Sequence, residues 1–168
     1  MLPPKPDEQV RYDVFLSYHA PERTAVRWLD EQIAQAGLRP WFDQREILPG
    51  EPWMQRIEAG LAQSQTIAVI IGPSGMGPWQ RQEASVALRL ALPERGTKRV
   101  IPVLLPGADR YGLPYLLDSF TWVEFQDLED AHALERLITG LRGRPGEAEE
   151  GRLLELDPRS TVALRRRA

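Results

Sequence analysis

The sequence contains no cysteine and only two histidines, His19 and His132. Without cysteine the chain can form no disulfide, no thiolate nucleophile and no thiolate metal site. Two histidines also leave little material for a metal site built from imidazole ligands. We therefore expect no bound metal.

Long apolar runs and an excess of basic charge are also lacking. No run approaches the roughly 18 apolar residues that a membrane-spanning helix needs. The first ten residues, MLPPKPDEQV, lack the apolar region of a secretory signal. A formal charge of -3 provides no basic surface of the kind that nucleic-acid binding requires. We expect a cytoplasmic protein that binds neither a membrane nor nucleic acid.

The apolar residues that are present form short runs alternating with helical patterns. A length of 168 residues with 42% apolar residues suits one compact domain. Uninterrupted β-branched runs such as TIAVII and RVIPVLL are typical of parallel strands that are covered on both faces, and these two should be central. Five strands are predicted, at residues 12–18, 39–42, 66–71, 99–105 and 121–125.

Helical spacing of apolar residues separates these strands. The predicted helices cover residues 22–36, 52–64 and 79–92, and a closing helix contains Leu134, Leu137, Ile138 and Leu141. Strand–helix alternation implies right-handed crossovers. The predicted fold is an α/β, flavodoxin-like, doubly wound five-stranded parallel sheet of order 2-1-3-4-5, flanked by helices.

A change of composition near Gly143 indicates a domain boundary. Residues 1–9 read as an N-terminal tail, residues 10–143 as the domain, and residues 144–168 as a linker or tail. The stretch GRPGEAEEG cannot bury much surface. The residues beyond it are either a disordered tail or the beginning of a further domain.

Two loops lie where a doubly wound sheet usually binds its ligand. Such sheets bind beyond the carboxyl ends of the strands where the winding reverses, here between the first and third strands. Ser17 and Tyr18 end the first strand, and residues 72–78 (GPSGMGP) follow the third. Three glycines permit close backbone approach to a dinucleotide, although such loops are more often simple connections. Neither a P-loop nor a GxGxxG motif is present.

Trp79 and Glu83 are four residues apart on the helix that follows this loop, so they share a face. One interpretation places a carboxylate and an aromatic ring in the cleft. The other is that the helix dipole favours Glu83 and that Trp79 packs on the sheet. The spacing alone favours the second interpretation.

The motifs together resemble the Toll/interleukin-1 receptor (TIR) domain family, and its bacterial members in particular. DVFLSY resembles the first signature box, WFDQREILPGEPWMQRIEAGLAQS resembles the second strand with the BB loop and the next helix, and Phe120 with Trp122 resembles the third box. WQRQE resembles the WxxxE pattern of the family's enzymes. Residues 20–22 (APE) depart from the small polar and aspartate residues usual there. The match covers residues 10–143.

The resemblance implies an NAD+ glycohydrolase that needs no further cofactor. It makes Glu83 the catalytic glutamate, and the product is either linear or cyclised ADP-ribose. In the family's enzymes one carboxylate suffices, because nicotinamide is already a cationic leaving group. The implied substrate-binding residues are Trp79, Tyr18, Ser17, Ser74 and Gly72.

The resemblance also implies homotypic assembly with other TIR domains, into open filaments if the contact is head-to-tail. The residues implied for this BB-loop contact are Asp43, Arg45, Leu48, Pro49 and Gly50. The implied biological role is bacterial immune defence by depletion of NAD+. The alternatives are a non-catalytic interaction module, acting as a scaffold or a host-signalling decoy, and a nucleotide sensor without turnover.

Overall fold

The computed structural model describes residues 11–77, 98–113, 115–118 and 120–143. Five parallel strands form one sheet in the order β2-β1-β3-β4-β5, which confirms the predicted order 2-1-3-4-5. The strands are β1 (Tyr12–Ser17), β2 (Pro40–Trp41), β3 (Ser64–Ile71), β4 (Arg99–Leu104) and β5 (Val123–Glu124).

Helices connect these strands and cover both faces of the sheet. They are α1 (Arg23–Gln35), α2 (Asp43–Glu46), α3 (Trp53–Gln63), α4 (Tyr115–Asp118) and α5 (Ala131–Arg142), with 3₁₀ turns at Ala20–Glu22 and Arg110–Gly112. The short α2 and α4 were not predicted, because four residues show no helical period. The helix predicted at 79–92 lies outside the described residues.

The core has two layers, one on each face of the sheet. On one face α1 and α5 bury Val26, Leu29 and Leu137 against the sheet. On the other face α3 packs Leu61 against Trp41 and Ile67. Both central runs, β3 and β4, are almost entirely buried, as their β-branched composition predicts.

Local signals explain where several helices begin and end. The carboxylate of Asp130 accepts the N–H of Ala133 at 3.0 Å and so caps the N-terminus of α5. Gly37 follows α1 with φ +83°, a conformation that favours glycine. Asp130 thus sets where α5 begins, and Gly37 sets where α1 ends.

Candidate functional site

A cleft of about 540 Å³ opens at the carboxyl end of β1, where the doubly wound topology predicts a ligand site. Its walls come from the segment after β1, from α2 and the loop after it, from α3, and from Gly77 beyond β3. The volume lies within the range of roughly 300–1,000 Å³ that is usual for small-molecule sites. The lining residues are Phe15, Leu16, Tyr18, His19, Ala20, Arg23, Trp41, Asp43, Gln44, Ile47, Trp53, Ile57 and Gly77.

One wall of the cleft is aromatic. Phe15 and Trp41 stack with their ring centroids 4.5 Å apart, because adjacent β1 and β2 pair these residues in register. Trp53, the first residue of α3, also lines the cleft and is 48% exposed. Trp53 therefore offers an accessible ring for a flat group of a ligand to stack against, whereas Phe15 and Trp41 are 1% and 3% exposed and support this wall from the core.

Polar groups line the entrance between β1 and α2. The Tyr18 hydroxyl donates a hydrogen bond of 2.6 Å to Oδ1 of Asp43. Burial, together with this bond to a carboxylate, raises the pKa of Tyr18, while nearby Arg23 acts in the opposite direction. Tyr18 is therefore neutral at physiological pH and serves as a hydrogen-bonding group.

An ion pair between Arg45 and Asp30 holds the short helix α2 against α1. The Arg45 guanidinium donates to both carboxylate oxygens of Asp30, at 3.1 and 2.9 Å, and to the carbonyl oxygen of Pro40 at 2.5 Å. Asp30 lies on α1 and is only 7% exposed. Burial raises the pKa of Asp30 by more than the Arg45 charge lowers it. Arg45 is thus a structural anchor rather than a merely solvated loop residue.

Replacing Arg45 with methionine should destabilise the fold by about 2 kcal/mol, less than for a fully buried pair because the guanidinium is half exposed. The cost arises because the Asp30 carboxylate loses its counter-charge. Burial raises the pKa of Asp30 in the folded state. The stability that protonated Asp30 contributes is therefore present below its unfolded-state pKa and is lost as the pH rises through its folded-state pKa. Protonated Asp30 needs no counter-charge, so the cost of Arg45→Met should shrink on acidification.

Urea unfolding at several pH values measures this effect. The matched control is Arg39→Met, which breaks a more exposed pair with Asp13 at 3.5 Å and should change stability little. Equal costs for the two substitutions, or a cost of Arg45→Met that is independent of pH, would contradict the anchoring role.

The residues predicted from the sequence fall into three places. Tyr18 and Asp43 line the cleft. Ser17 is the last residue of β1 and is completely buried, and Gly72 and Ser74 lie outside the cleft lining. Trp79 and Glu83 lie outside the described residues.

The loop after α2 has an exposed tip, which consists of Leu48, Pro49 and Gly50. Leu48 is 61% exposed, and Gly50 adopts φ +91°. Glu51 closes the turn by accepting the N–H of Leu48 at 2.8 Å through its side chain. Asp43 and Arg45, in contrast, bind to Tyr18 and Asp30 of their own chain. The tip is thus exposed, while the predicted contacts of Asp43 and Arg45 with another copy stay predictions.

Several residues that line or adjoin the cleft were not predicted from the sequence. Arg23 begins α1 and Trp53 begins α3, and nothing in the local sequence pattern indicates that they face one cavity. Glu22 was likewise unassigned, yet its carboxylate accepts the N–H of Ser74 at 3.2 Å. The departure from the family's usual residues at 20–22 was the one available signal for this segment.

The family relationship is decided by a match that covers most of the chain. The model of the TIR domain matches residues 14–138, from β1 to within α5. The chain belongs to the TIR domain family. The sheet order is therefore that of a TIR domain, and the cleft lies beside residues 43–51, which resemble the family's BB loop.

Relatives of this TIR domain include proteins named for reactions of NAD+. It is 30% identical over 96 residues to a probable 2′ cyclic ADP-D-ribose synthase of Brachypodium distachyon, covering 55% of this chain and 40% of that protein. It is 30% identical over 99 residues to the NAD(+) hydrolase TcpA of Theionarchaea archaeon, covering 58% and 30%. The chain thus spans well under half the length of these curated relatives.

Solved structures show the same fold. The TIR domain of the Toll-related receptor TRR-2 of Hydra magnipapillata superposes with a TM-score of 0.62 at 20% identity, covering 79% of this chain and 99% of that chain. The TIR-STING receptor of C. gigas gives a TM-score of 0.64 at 21% identity, covering 85% and 44%. At these identities the likeness shows the fold alone.

Within the described ranges, no three histidine, aspartate or glutamate side chains are grouped so that they could hold a metal ion. No helix of the described part of the chain is long and apolar enough to cross a membrane.

Proposed function

We propose that this TIR domain cleaves NAD+ at the bond between nicotinamide and ribose when copies of it associate. The observation that carries the proposal is the cleft at the end of β1, with its aromatic wall and its charged entrance. The names of the relatives, an NAD(+) hydrolase and a cyclic ADP-ribose synthase, support the same substrate.

The chemistry of the cleft suits the parts of NAD+. Trp53 offers an exposed surface for a flat ring, while the Arg23 guanidinium attracts the negative diphosphate. Asp43 and the neutral Tyr18 hydroxyl supply hydrogen-bonding groups for ribose hydroxyls. A flat ring, the diphosphate and the ribose hydroxyls of NAD+ thus each have a chemically suitable side chain in the cleft.

In the proposed reaction the bond from ribose C1′ to the nicotinamide nitrogen breaks. Its electron pair stays on that nitrogen and neutralises the pyridinium charge, so that no acid is needed. Positive charge develops on the ribose, and we assign its stabilisation to the Glu83 carboxylate. Water then adds to C1′ and releases one proton, or a hydroxyl group of the same ADP-ribose adds instead, releases its own proton and forms a cyclic product.

Self-association is proposed to use the loop tip together with the first turn of α3. Leu48, Trp53 and Met54 are 61%, 48% and 50% exposed, which is unusual for such large apolar side chains so close in sequence. Because Trp53 also lines the cleft, a neighbour that covers this surface would change the cleft as well. This arrangement couples assembly to activity.

Replacing Leu48 with aspartate should lower NAD+ turnover about tenfold or more at a fixed protein concentration, because a charge at an apolar contact opposes association. Nicotinamide release is followed by chromatography over a range of protein concentrations, and particle size by light scattering. The matched control is Leu128→Asp, which changes an exposed leucine in the loop before α5.

Wild-type turnover should rise more steeply than protein concentration, and the Leu48 variant should lose this rise. Absence of turnover from wild type at every concentration would contradict the proposal. If large assemblies nevertheless formed, the exposed tip would favour the second candidate function, a non-catalytic TIR–TIR interaction module.

A further inference from the structure

The loop that follows β3 is held at both ends by a single segment of the chain. Residues 72–77 lead from β3 toward Trp79 and Glu83 in the sequence. The segment 19–22 follows β1 and contacts this loop at Gly72, Ser74 and Gly77. The same segment contributes His19 and Ala20 to the cleft wall.

The first contact is the carboxyl group of Glu22 on Gly72. A Cβ atom placed on Gly72 would lie 2.1 Å from Cδ of Glu22, so the carboxyl group occupies the space of a side chain. Oε1 of Glu22 also accepts the N–H of Ser74 at 3.2 Å. Gly72 and Gly75 close a tight turn through a backbone hydrogen bond of 3.0 Å. Glu22 therefore fixes the start of the loop by packing and by a hydrogen bond.

The second contact is the imidazole ring of His19 on Gly77. A Cβ atom on Gly77 would lie 2.6 Å from Cδ2 of His19. Gly77 is buried and lines the cleft together with His19. The ring thus fixes the end of the loop, five residues after the first contact, and neither glycine can be enlarged without moving its partner.

We infer that His19 and Glu22 are positioning residues, which together clamp residues 72–77, the loop that lines the cleft at Gly77 and precedes Glu83 in the sequence. This inference rests on the proposed function for its catalytic consequence, while the clamp itself can be tested without turnover. Glu22 acts through its length and its acceptor oxygen, since among the described residues it accepts a backbone N–H and forms no ion pair. Residues 19–22 thus connect the cleft wall to the loop 72–77.

Substitutions of Glu22 separate this role from a role of its charge. Glutamine keeps the length and the acceptor oxygen, so Glu22→Gln should keep kcat within about threefold of wild type. Glu22→Ala removes the clamp and Glu22→Asp shortens it by one methylene, so both should lower kcat about tenfold or more, with a smaller change in KM. Glu31→Ala, an exposed change on α1, is the control.

A loss in Glu22→Gln equal to that in Glu22→Ala would overturn the clamp, because it would show that the charge matters. Equal kcat in Glu22→Ala and wild type would overturn it too. Activity restored in Glu22→Gln but not in Glu22→Asp supports it, since general destabilisation does not distinguish these two variants.

A double-mutant cycle tests the contact without any activity. Gly72 does not have a positive φ, so alanine there is opposed by the Glu22 side chain rather than by the backbone conformation. Gly72→Ala should lower the thermal unfolding midpoint in the wild-type background and lower it much less beside Glu22→Ala. Additive midpoints would overturn the clamp. An inactive wild type would refute the proposed function, and with it the catalytic consequence of the clamp, while the cycle would still decide whether the contact exists.

Discussion

Glu83→Gln should lower NAD+ turnover by about 100-fold or more, which is the usual effect of removing a group that stabilises transition-state charge. Glutamine keeps the size of the side chain but removes the negative charge that the developing ribose cation requires. Binding of NAD+ should be retained, so kcat should fall more than KM changes. Nicotinamide release under assembling conditions measures the effect.

The control for this substitution is Glu135→Gln, an exposed change on α5 that lies away from the cleft. It removes the same charge from the same chain and should leave turnover unchanged. Circular dichroism shows whether both variants remain folded. Turnover by a folded Glu83→Gln variant at the wild-type rate would refute the assigned role of this carboxylate.

Gly60→Ala should destabilise the domain by about 3 kcal/mol, an overpacking cost at the upper end of the usual range. A Cβ atom on Gly60 would lie 2.4 Å from Cε2 of Trp41, and this indole is buried and stacked on Phe15. Because Phe15 stacks on the Trp41 ring, the ring cannot move away from the added Cβ atom. The clash outweighs the gain of about 1 kcal/mol that alanine gives over glycine in a helix.

Gly140→Ala on α5 is the matched control for Gly60→Ala. Its added Cβ atom would meet only Cδ1 of Ile101 at 3.1 Å, the far end of a flexible side chain. Helix propensity should then prevail, and stability should be unchanged or should rise by up to about 1 kcal/mol. Chemical denaturation measures both variants. Equal costs would show that the Trp41 ring is not a rigid surface.

The sheet could be predicted from the sequence because its signals are local. The β-branched runs of β3 and β4 identify central parallel strands, and the alternation with helices fixes the topology. The ends were less exact: β5 is only Val123–Glu124, where residues 121–125 were predicted, since edge pairing rather than composition limits it.

The sequence predicted where the site lies in the fold but not the contacts that shape it. The carboxyl end of β1 follows from the topology, and Tyr18 follows from its position there. The contacts that shape the site join residues distant in sequence, such as Arg45 with Asp30 and Glu22 with Ser74. No periodicity or spacing carries that information. Ser17 is completely buried at the end of β1, a fact that the sequence did not indicate, and its role in substrate binding stays a prediction.

Product analysis of the wild-type chain with NAD+ in ¹⁸O-labelled water tests the central claim most directly. We expect each NAD+ lost to yield one nicotinamide, and linear ADP-ribose to carry one labelled oxygen at C1′, whereas a cyclic product should carry none. Intact NAD+ after incubation with assembled protein, or cleavage at the diphosphate instead of the glycosidic bond, would contradict it.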